Sequence, residues 1–568
     1  MTRKNWVGPP RIDEHAVAAI VDELRVPPLV ARVLVGRGKA DPASARTFLE
    51  PNLDQLSDPL LLRGAKAAID RILQALRTKQ RIVVFGDFDV DGVTGTSLAY
   101  RTLQELGADV EYFLPKRLLH GYGLSRKVLP DLLAREPSLV LTVDCGIRSV
   151  EEVAALANRG VDTIVTDHHE PGPELPPAVS VVDPKQEGCP YPDKRLAGVG
   201  VMFQLMRGLV RELEHEVELT QHLDLVALGT VADVVPLDGE NRVLVAEGLK
   251  VLNRRAKVGV MALVMASEIE DELESWHLAY LLGPRINAAG RLGDAEQAVR
   301  LFTVEDTTVA NDLARHLDEE NRRRQEISAS TLEQALDAID RGVAGKNPDG
   351  IVLASNSWHP GVIGIATAKL VERFHRPSAL IAMDGDEGRG SVRSIRGVDV
   401  CEVLQGCEDL LVQYGGHSMA AGLTIRRENL ADFRTRFARA VGEQLDDQNS
   451  VPQLKIDAEL RVDEIDIDLA QQLDRLAPFG YGNPRPTFLL RDVLPIGRPR
   501  AVGRGHLKMS VRREEGGLDC IGFDLASRLE NCGFPDGPID IVGHVSVNEW
   551  NGRRSVQLQL GDFRGARS

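Results

Sequence analysis

The sequence predicts an α/β protein of several domains, with a parallel sheet flanked by helices, a smaller α/β domain and a C-terminal β-barrel. Three observations predict this fold class. From about residue 80, short apolar runs alternate with turns and helical patterns, as in parallel sheets covered by helices. The last hundred or so residues instead hold short β-rich runs separated by Gly, Asn and Pro. The length of 568 residues exceeds the roughly 100–200 residues of one domain.

The composition narrows the classes of function. The chain has 68 Lys and Arg against 84 Asp and Glu, a formal net charge of −16. Bulk charge therefore cannot attract a polyanion, and locally placed cations or metals must do so. No run reaches the roughly 18 apolar residues of a membrane span, and the N-terminus shows no export signal. We therefore expect no membrane contact. The six cysteines include no Cys-x-x-Cys pair, so we expect no disulfide framework, no structural zinc site and a cytoplasmic location.

Three apolar runs of the first sheet end in aspartate. The run over 81–85 leads into the turn GDFDVDG, and a helical pattern follows from Thr94 to Leu106. The runs over 138–144 and 162–167 each end in Asp. In open α/β sheets, ligands bind outside the carboxyl ends of the strands. The three acidic strand ends therefore predict one binding site.

The turn after the first strand places carboxylates at alternate positions, Asp87, Asp89 and Asp91. Like charges this close oppose each other's ionisation, and a hard divalent cation such as Mg²⁺ or Mn²⁺ relieves the repulsion. An acidic turn without a metal is the alternative for this motif alone. A calcium loop of the EF-hand type is excluded, because the twelfth position counted from Asp87 is Leu98 rather than Glu.

The segment Thr166–Glu170, TDHHE, follows another apolar strand. A single His there would more often be a structural residue, but His168 and His169 stand together at the same end of the sheet as the carboxylates. Imidazole combined with carboxylates suits Mn²⁺ better than Ca²⁺. Asp144 and Asp233 supply further carboxylates, although each taken alone fits a helix cap or a turn.

The second half of the chain predicts connecting helices, a second α/β domain and the barrel. Charged and apolar residues at helical spacing over 304–339 predict one or two long helices. IVLASN, GVIGIATAKLVERF and SALIAM indicate a smaller α/β domain that closes near Gly422. Five runs, LKIDAEL, TFLLRDV, HLKMSVR, DIVGHVSV and RSVQLQL, fit an OB-fold. With an N-terminal extension first, the predicted domains span 1–75, 76–300, 301–345, 346–448 and 449–568.

Taken together, the motifs resemble those of a known family. DFDVDG, TVDCG, TDHHE and GTVADVVP, in this order, are similar to motifs I to IV of the DHH phosphoesterase superfamily. GGHSMAAG over 415–422 resembles the glycine-rich signature of the accompanying DHHA1 domain. GPRINAAGRLGDA over 283–295 and the OB-like tail narrow the resemblance to the RecJ family of bacterial single-strand-specific exonucleases. The resemblance covers about 82–560 and implies a Rossmann-like DHH domain with a parallel sheet.

The resemblance implies a centre of two Mn²⁺ or Mg²⁺ ions. Its ligands, carried over by position, are Asp89, Asp91, Asp144, His168 and Asp233. Asp144 would bridge the ions, and His169 would contact the scissile phosphate. Asp87 would be either a metal ligand or a partner of a ligand. His417 is a further catalytic candidate, in a loop with Gly415 and Gly416 that lets the backbone approach the substrate. Some members carry a His four residues before the ligand that matches Asp89, and that position is Phe85 here.

The same resemblance implies a site for the 5′-terminal phosphate. Ser391 and Arg393, in the cluster GSVRSIR, would hold the phosphate with help from Arg291 and Arg117. Hydroxyl groups and bidentate guanidinium groups are common phosphate ligands. Taken alone, this segment fits a solvated basic loop.

The function that the resemblance implies is removal of mononucleotides from the 5′ end of single-stranded DNA, in recombination and repair. It also implies a monomer, with single-stranded-DNA-binding protein and a RecQ-type helicase as partners. One alternative is a DHH phosphoesterase that acts on oligoribonucleotides or other small phosphodiesters, which the β-rich tail argues against. Another is a non-catalytic DNA-binding replication scaffold, which has no need of clustered carboxylates.

Overall fold

The computed structural model describes residues 4–566 apart from 214–216, 346–347, 447–448, 504, 514–515, 527, 530–532, 536 and 551. The strands are β1 (Asn5–Val7), β2 (Ile82–Gly86), β3 (Val110–Phe113), β4 (Leu139–Val143), β5 (Asp162–Thr166), β6 (Ser180–Val182), β7 (Ile351–Ser355), β8 (Ser378–Asp384), β9 (Glu387–Arg393), β10 (Leu411–His417), β11 (Ala420–Arg426), β12 (Gln453–Lys455), β13 (Ala458–Glu459), β14 (Phe488–Val502), β15 (His506–Arg513), β16 (Gly516–Gly522), β17 (Ile539–Trp550) and β18 (Arg553–Gly565).

The helices of the described residues are α1 (Glu14–Leu24), α2 (Pro28–Gly36), α3 (Pro42–Leu49), α4 (Ala65–Arg77), α5 (Val90–Glu105), α6 (Arg117–His120), α7 (Leu129–Leu133), α8 (Val150–Ala157), α9 (Gly198–Leu213), α10 (Leu223–Ala232), α11 (Gly239–Asn253), α12 (Val258–Ala266), α13 (Ser275–His277), α14 (Gly283–Leu292), α15 (Glu296–Thr303), α16 (Thr307–Asp340), α17 (Ile363–Phe374), α18 (Val400–Gln405), α19 (Leu430–Gln444) and α20 (Ile467–Asp474). None of them has the length and apolar character needed to cross a membrane.

The first sheet is parallel throughout and has the strand order β3-β2-β4-β5-β6. Successive residues of β2 enter two different cores, as the alternation of a buried strand requires. Ile82 and Val84 pack with apolar residues of α4, α5 and α9, whereas Val83 and Phe85 pack with residues of α7 and α8. The predicted parallel sheet with helices on both faces is confirmed.

The helix that follows β2, α5, begins earlier than the sequence predicts. The pattern placed its start at Thr94, but α5 begins at Val90 because Asp89 caps it. Asp89 Oδ1 accepts hydrogen bonds from the N–H groups of Asp91 and Gly92, both at 3.1 Å. The acidic turn is therefore also a helix N-terminus, where a carboxylate is favourable.

The second sheet mixes orientations in the order β10-β11-β9-β8-β7, with only β7 and β8 parallel. The segment 415–422 was predicted as a loop, but it forms the ends of β10 and β11, which pair as a hairpin. The Ser391–Arg393 cluster lies at the end of β9 rather than in a basic loop. The region over 304–339, for which one or two helices were predicted, forms the single 34-residue helix α16.

The C-terminal strands β14, β15, β16, β18 and β17 pair in this order, and β17 pairs back with β14. Five strands therefore close a barrel, as predicted. The prediction erred in one strand, because the run LKIDAEL forms β12 and β13 outside the closed ring. The fifth barrel strand is the glycine-led β16 instead, whose sequence GGLDCIG shows weak β-propensity.

Contacts between residues divide the chain into two compact units. One holds Thr47–Arg324 and Ala477–Pro484, and the other holds Met1–Arg46, Gln325–Leu476 and Arg485–Ser568. The first contains the parallel sheet, and the second contains the mixed sheet and the barrel. The domain limits drawn from the sequence stay predictions.

Candidate active site

The carboxyl ends of the parallel strands gather seven of the predicted side chains. Three sets of three residues bring ligand atoms within 4.8 Å of one another, namely Asp144 with His168 and His169, Asp91 with His168 and Asp233, and Asp87 with Asp89 and Asp144. Asp144 and His168 each belong to two of the sets. The sets overlap and therefore form one continuous acidic centre.

Asp91 is held by backbone amides from a distant part of the chain. The N–H groups of Gly198 and Val199, at the start of α9, donate to its two carboxylate oxygens at 2.6 and 2.8 Å. Gly198 also lies against Asp144, because a Cβ at position 198 would lie 2.7 Å from Asp144 Cβ. Glycine thus lets a helix N-terminus approach two carboxylates at once.

Two residues at this centre have left-handed backbone conformations. Asp144 has φ of 60°, and Val234, directly after Asp233, has φ of 62°. Asp tolerates this region, but a β-branched Val does so only under strain. Such strain costs about 1–3 kcal/mol and occurs mostly at functional sites.

His168 points into the carboxylates. Its Nε2 lies 3.1 Å from Asp144 Oδ1, 3.5 Å from Asp233 Oδ2 and 3.7 Å from Asp91 Oδ2. The side chain is 8% exposed, and burial lowers its pKa to about 3. At neutral pH the imidazole is therefore uncharged, which is the form that binds metals.

His169 is oriented by Asp167, which the sequence places at an acidic strand end but to which the sequence analysis gave no role. Asp167 Oδ1 lies 2.7 Å from His169 Nδ1, and Asp167 also accepts the N–H groups of Ile147 and His168 at 2.9 and 2.8 Å. On the other side of the ring, His169 Nε2 lies 3.3 Å from Tyr122 Oη. Burial disfavours the charged imidazole, but the hydrogen bond to Asp167 prevails and raises the pKa of His169.

Burial and mutual repulsion keep protons on the central carboxyl groups. Burial, followed by the charges of neighbouring aspartates, raises the pKa of Asp87, Asp144 and Asp233 well above the ordinary value. The same causes raise the pKa of Asp91 to about 7. A bound cation would reverse this effect by favouring the ionised carboxylates.

The donor atoms fit a divalent metal. Within the described residues, both carboxylate oxygens of Asp87, Asp144 Oδ1, Asp233 Oδ2 and His168 Nε2 are buried without a hydrogen-bond partner. A buried polar atom without a partner costs free energy, and a cation would satisfy these atoms together. Carboxylate oxygens with one imidazole suit Mn²⁺ and Mg²⁺.

Phe85, at the position where some DHH enzymes carry a His, supplies no ligand. Its ring is fully buried in the core on one face of the sheet and packs edge-on against Phe113 at 5.9 Å between centroids.

Arg117 and Arg291, two of the predicted phosphate-binding arginines, belong to the compact unit that holds the acidic centre. Arg117 begins α6, and its guanidinium carbon lies 5.3 Å from the centroid of the Phe88 ring. Burial lowers the pKa of Arg117, against the charges of Asp87 and Asp89. Arg291 lies in α14, next to Gly290, which packs against Phe88 O.

The other predicted phosphate ligands and His417 form a corner of the mixed sheet. Arg393 Nη1 donates to Ser391 Oγ at 3.0 Å. Ala420 of β11 lies opposite Arg393 on one side and opposite His417 on the other. Gly364, in the first turn of α17, packs against this pair, since a Cβ there would lie 3.0 Å from Ser391 Oγ and 3.1 Å from Arg393 Nη2. A helix N-terminus beside Ser and Arg can bind an anion.

Comparison with known proteins reveals close relatives along most of the chain. The chain is 39% identical to the single-stranded-DNA-specific exonuclease RecJ of Bacillus subtilis, over 98% of its own length and 72% of the relative's. It is 38% identical to the protein of the same name from Haemophilus influenzae, over 90% and 92% of the two chains. The chain belongs to the RecJ family. The resemblance drawn from the motifs is therefore confirmed.

Family models and solved structures agree with this membership in the RecJ family. The models match the DHH family N-terminal domain at 81–230, the DHHA1 domain at 347–443 and the RecJ OB domain at 456–562. The crystal structure of RecJ from Thermus thermophilus in complex with Mn²⁺ aligns with a TM-score of 0.86 and 33% identity, over 100% of this chain and 80% of that one. The same protein in complex with Mg²⁺ aligns with a TM-score of 0.79 and 31% identity, over 100% and 79%.

Proposed function

We propose that this member of the RecJ family is a metal-dependent exonuclease that hydrolyses single-stranded DNA from the 5′ end to mononucleotides, in recombination and repair. The observation that carries the proposal is the group of buried ligand atoms without hydrogen-bond partners at the ends of the parallel strands. In a non-catalytic scaffold, burial of these unpartnered atoms would cost free energy without serving a function. The relatives named as single-stranded-DNA-specific exonucleases supply the substrate and reaction class.

The metal ligands in this proposal are Asp87, Asp89, Asp91, Asp144, His168 and Asp233. Asp144 is the natural bridge, because it belongs to two of the three ligand sets. When bound, two Mn²⁺ or Mg²⁺ ions would activate a water molecule and stabilise the leaving oxygen of a phosphodiester.

His169 acts on the scissile phosphate in this proposal. Asp167 fixes the imidazole through Nδ1 and favours its charged form, so that Nε2 is the atom that would donate to a phosphate oxygen in place of its contact with Tyr122 Oη. Tyr122 Oη, 3.3 Å from Nε2, limits rotation of the ring. The charged imidazole would then stabilise the negative charge that develops on the phosphate.

The 5′-terminal phosphate binds Ser391 and Arg393 in this proposal, with the first turn of α17 beside them. Hydroxyl, guanidinium and helix N-terminus are complementary to a terminal phosphate dianion. Arg117 and Arg291, in the unit that holds the acidic centre, contact the DNA strand. His417 is a further catalytic candidate.

The barrel binds the rest of the strand in this proposal. Arg500 of β14 pairs across the sheet with Lys508 of β15, and both side chains are exposed together with Arg498. Cations on an OB-fold attract the backbone of single-stranded nucleic acid. This local positive charge accounts for nucleic-acid binding by a chain of net charge −16.

The proposal also includes the cellular setting. An enzyme that starts at the end of a single strand depends on others to unwind duplex DNA, so we place a single-stranded-DNA-binding protein and a RecQ-type helicase among its partners. We further propose that the enzyme works as a monomer in the cytoplasm.

A single-stranded oligonucleotide labelled at one end or the other tests the proposal. With Mn²⁺, the 5′-labelled strand should release labelled mononucleotide at once, whereas the 3′-labelled strand should shorten gradually. Chelation of the metal should stop both reactions. Release of the 3′ label as the first mononucleotide would refute the polarity, and undiminished hydrolysis after chelation would refute the metal centre.

A further inference from the structure

A glycine-rich segment from the C-terminal part of the chain packs against the turn that carries Asp233. Residues Ala477–Pro484, with the sequence APFGYGNP, cluster with Thr47–Arg324. The segment closes on itself, since Gly480 N–H donates to Asn483 O and Asn483 Nδ2 donates to Pro478 O, both at 2.9 Å. It therefore forms a compact turn, here called the glycine turn, rather than an extended linker.

Two polar side chains fix the glycine turn in place. Arg242 is 2% exposed, and its Nη2 donates to Ala477 O at 2.6 Å while its Nη1 lies 3.4 Å from Pro478 O. Ser275 Oγ donates to Phe479 O. A buried guanidinium requires such acceptors, so the contact with Arg242 is specific.

The tip of the glycine turn touches the residues that follow Asp233. The N–H of Leu237 donates to Tyr481 O at 2.8 Å. A Cβ on Gly482, where φ is +75°, would lie 2.8 Å from Pro236 Cβ, and a Cβ on Gly480 would lie 2.7 Å from Leu237 Cδ1. A side chain on Gly482 would meet Pro236, and one on Gly480 would have to displace the Leu237 side chain.

This contact supports a strained part of the acidic centre. Asp233 ends α10, and the chain leaves the helix through Val234 in the left-handed conformation, which Val does not favour. Only Val235 lies between Val234 and Pro236. Strained conformations persist only where surrounding structure holds them. The glycine turn contacts Pro236 and Leu237, in addition to the hydrogen bond that Asn241 Nδ2 donates to Pro236 O at 3.2 Å.

We propose that the glycine turn is a positioning element for Asp233. It supplies no ligand, but it holds the Val234–Leu237 turn so that Asp233 Oδ2 stays 3.5 Å from His168 Nε2. The inference rests on the proposed metal centre. Positioning partners of metal ligands typically change metal affinity by about 10–100-fold.

The substitution Gly482→Ala tests the inference, with Gly160→Ala as its matched control. Both glycines lie in the same unit and have φ of +75°, but a Cβ on Gly160 would meet nothing within 4 Å. Mn²⁺ affinity is measured by titration calorimetry on the full chain, and unfolding temperature and circular dichroism are recorded for each protein. We expect about a tenfold or greater loss of Mn²⁺ affinity for Gly482→Ala and wild-type affinity for Gly160→Ala.

Equal Mn²⁺ affinity in the wild type and a folded Gly482→Ala variant would overturn the inference. Equal losses in both variants would do the same, because the effect would then come from backbone strain alone. If Gly482→Ala does not fold, Gly480→Ala replaces it, since its Cβ meets only the end of the flexible Leu237 side chain. A wild-type protein that binds no Mn²⁺ would refute the proposed metal centre itself, and the inference with it.

Discussion

The two α/β sheets place polar groups in opposite ways. At the end of the parallel sheet, Asp87, Asp91, Asp144 and His168 are buried, and several ligand atoms of the centre lack a protein partner. At the end of the mixed sheet, Arg393 Nη1 donates to Ser391 Oγ and Val392 O on its own strand, and His417 is exposed. Burial of the acidic centre costs free energy unless a cation binds, whereas the guanidinium of Arg393 already has acceptors within the protein.

This difference sets the size of the effects expected from substitution. Removal of a buried group that organises a metal centre affects every step of hydrolysis. Removal of one surface contact to phosphate costs only that charge-assisted hydrogen bond, about 1.5–3 kcal/mol. We therefore expect substitutions at the two sheets to affect different properties, the rate of hydrolysis at the parallel sheet and the selection of the 5′ end at the mixed sheet.

The largest expected effect comes from Asp144→Ala. Because Asp144 joins two of the ligand sets, its loss should remove several kcal/mol of transition-state stabilisation, about three orders of magnitude in rate or more. Hydrolysis of single-stranded DNA at saturating Mn²⁺ measures the effect. Asp224→Asn is the control, since Asp224 is also buried in the same unit but pairs with Lys257 and belongs to none of the sets among the described residues. Near-normal turnover by folded Asp144→Ala would disprove the proposed centre.

A smaller but still large effect is expected from Gly198→Ala. The new methyl group would approach Asp144 Cβ and displace either this carboxylate or the amides that hold Asp91. Displaced supporting groups typically cost about 10–100-fold, which should appear in both Mn²⁺ affinity and rate. Gly200→Ala, in the same helix, is the control, because its nearest neighbour, Leu196, would be at an ordinary 3.5 Å. Equal behaviour of the two variants would show that the close approach has no role.

Arg393→Ala should change the choice of end rather than the chemistry. A loss of about 1.5–3 kcal/mol corresponds to roughly tenfold or more weaker preference for 5′-phosphorylated over 5′-hydroxyl strands. Competition between the two strands in one reaction measures this ratio. Arg389→Ala is the matched control, since Arg389 is exposed on the same strand, β9. An unchanged ratio in Arg393→Ala would place the phosphate site elsewhere.

The smallest effect concerns pH. Since the pKa of Asp91 is raised to about 7, most of the protein carries a proton there at pH 6 that Mn²⁺ must displace. Affinity should therefore rise with pH, by up to about tenfold per unit for each proton released below the pKa. Titration calorimetry in buffers of different ionisation enthalpy measures the released protons. Affinity that falls between pH 6 and pH 7 would contradict the protonation of the centre.

The sequence predicted most of this centre because its signals are local. An apolar run followed by Asp marks a strand end, and three such ends meet in a parallel sheet, so the placement of Asp87, Asp144 and Asp167 follows from pattern alone. The amides of Gly198 and Val199 could not be found in this way, because they reach Asp91 from more than a hundred residues away. The only sequence signal was the glycine-spaced run AGVGV at 197–201.

The second unit was harder to predict for a different reason. The glycines around His417 are typical of loops, yet cross-strand pairing with β11 makes them a hairpin. Likewise β16 has one β-branched residue, Ile521, among three glycines, and its pairing with β15 and β18 in the barrel makes it a strand. The start of α17, which packs beside Ser391 and Arg393, is marked only by the run HPGVIGIA.

The parallel pairing of Asn5–Val7 with Gln453–Lys455 has a consequence for folding during translation. Translation proceeds from the N-terminus at about 5–20 residues per second, and domains generally fold as they emerge. The first strand must wait for a partner made more than four hundred residues later, and the glycine turn at 477–484 emerges later still. A nascent chain thus carries all its acidic ligands well before the support for Asp233 exists. Nuclease activity should accordingly mature only after the glycine turn has been made.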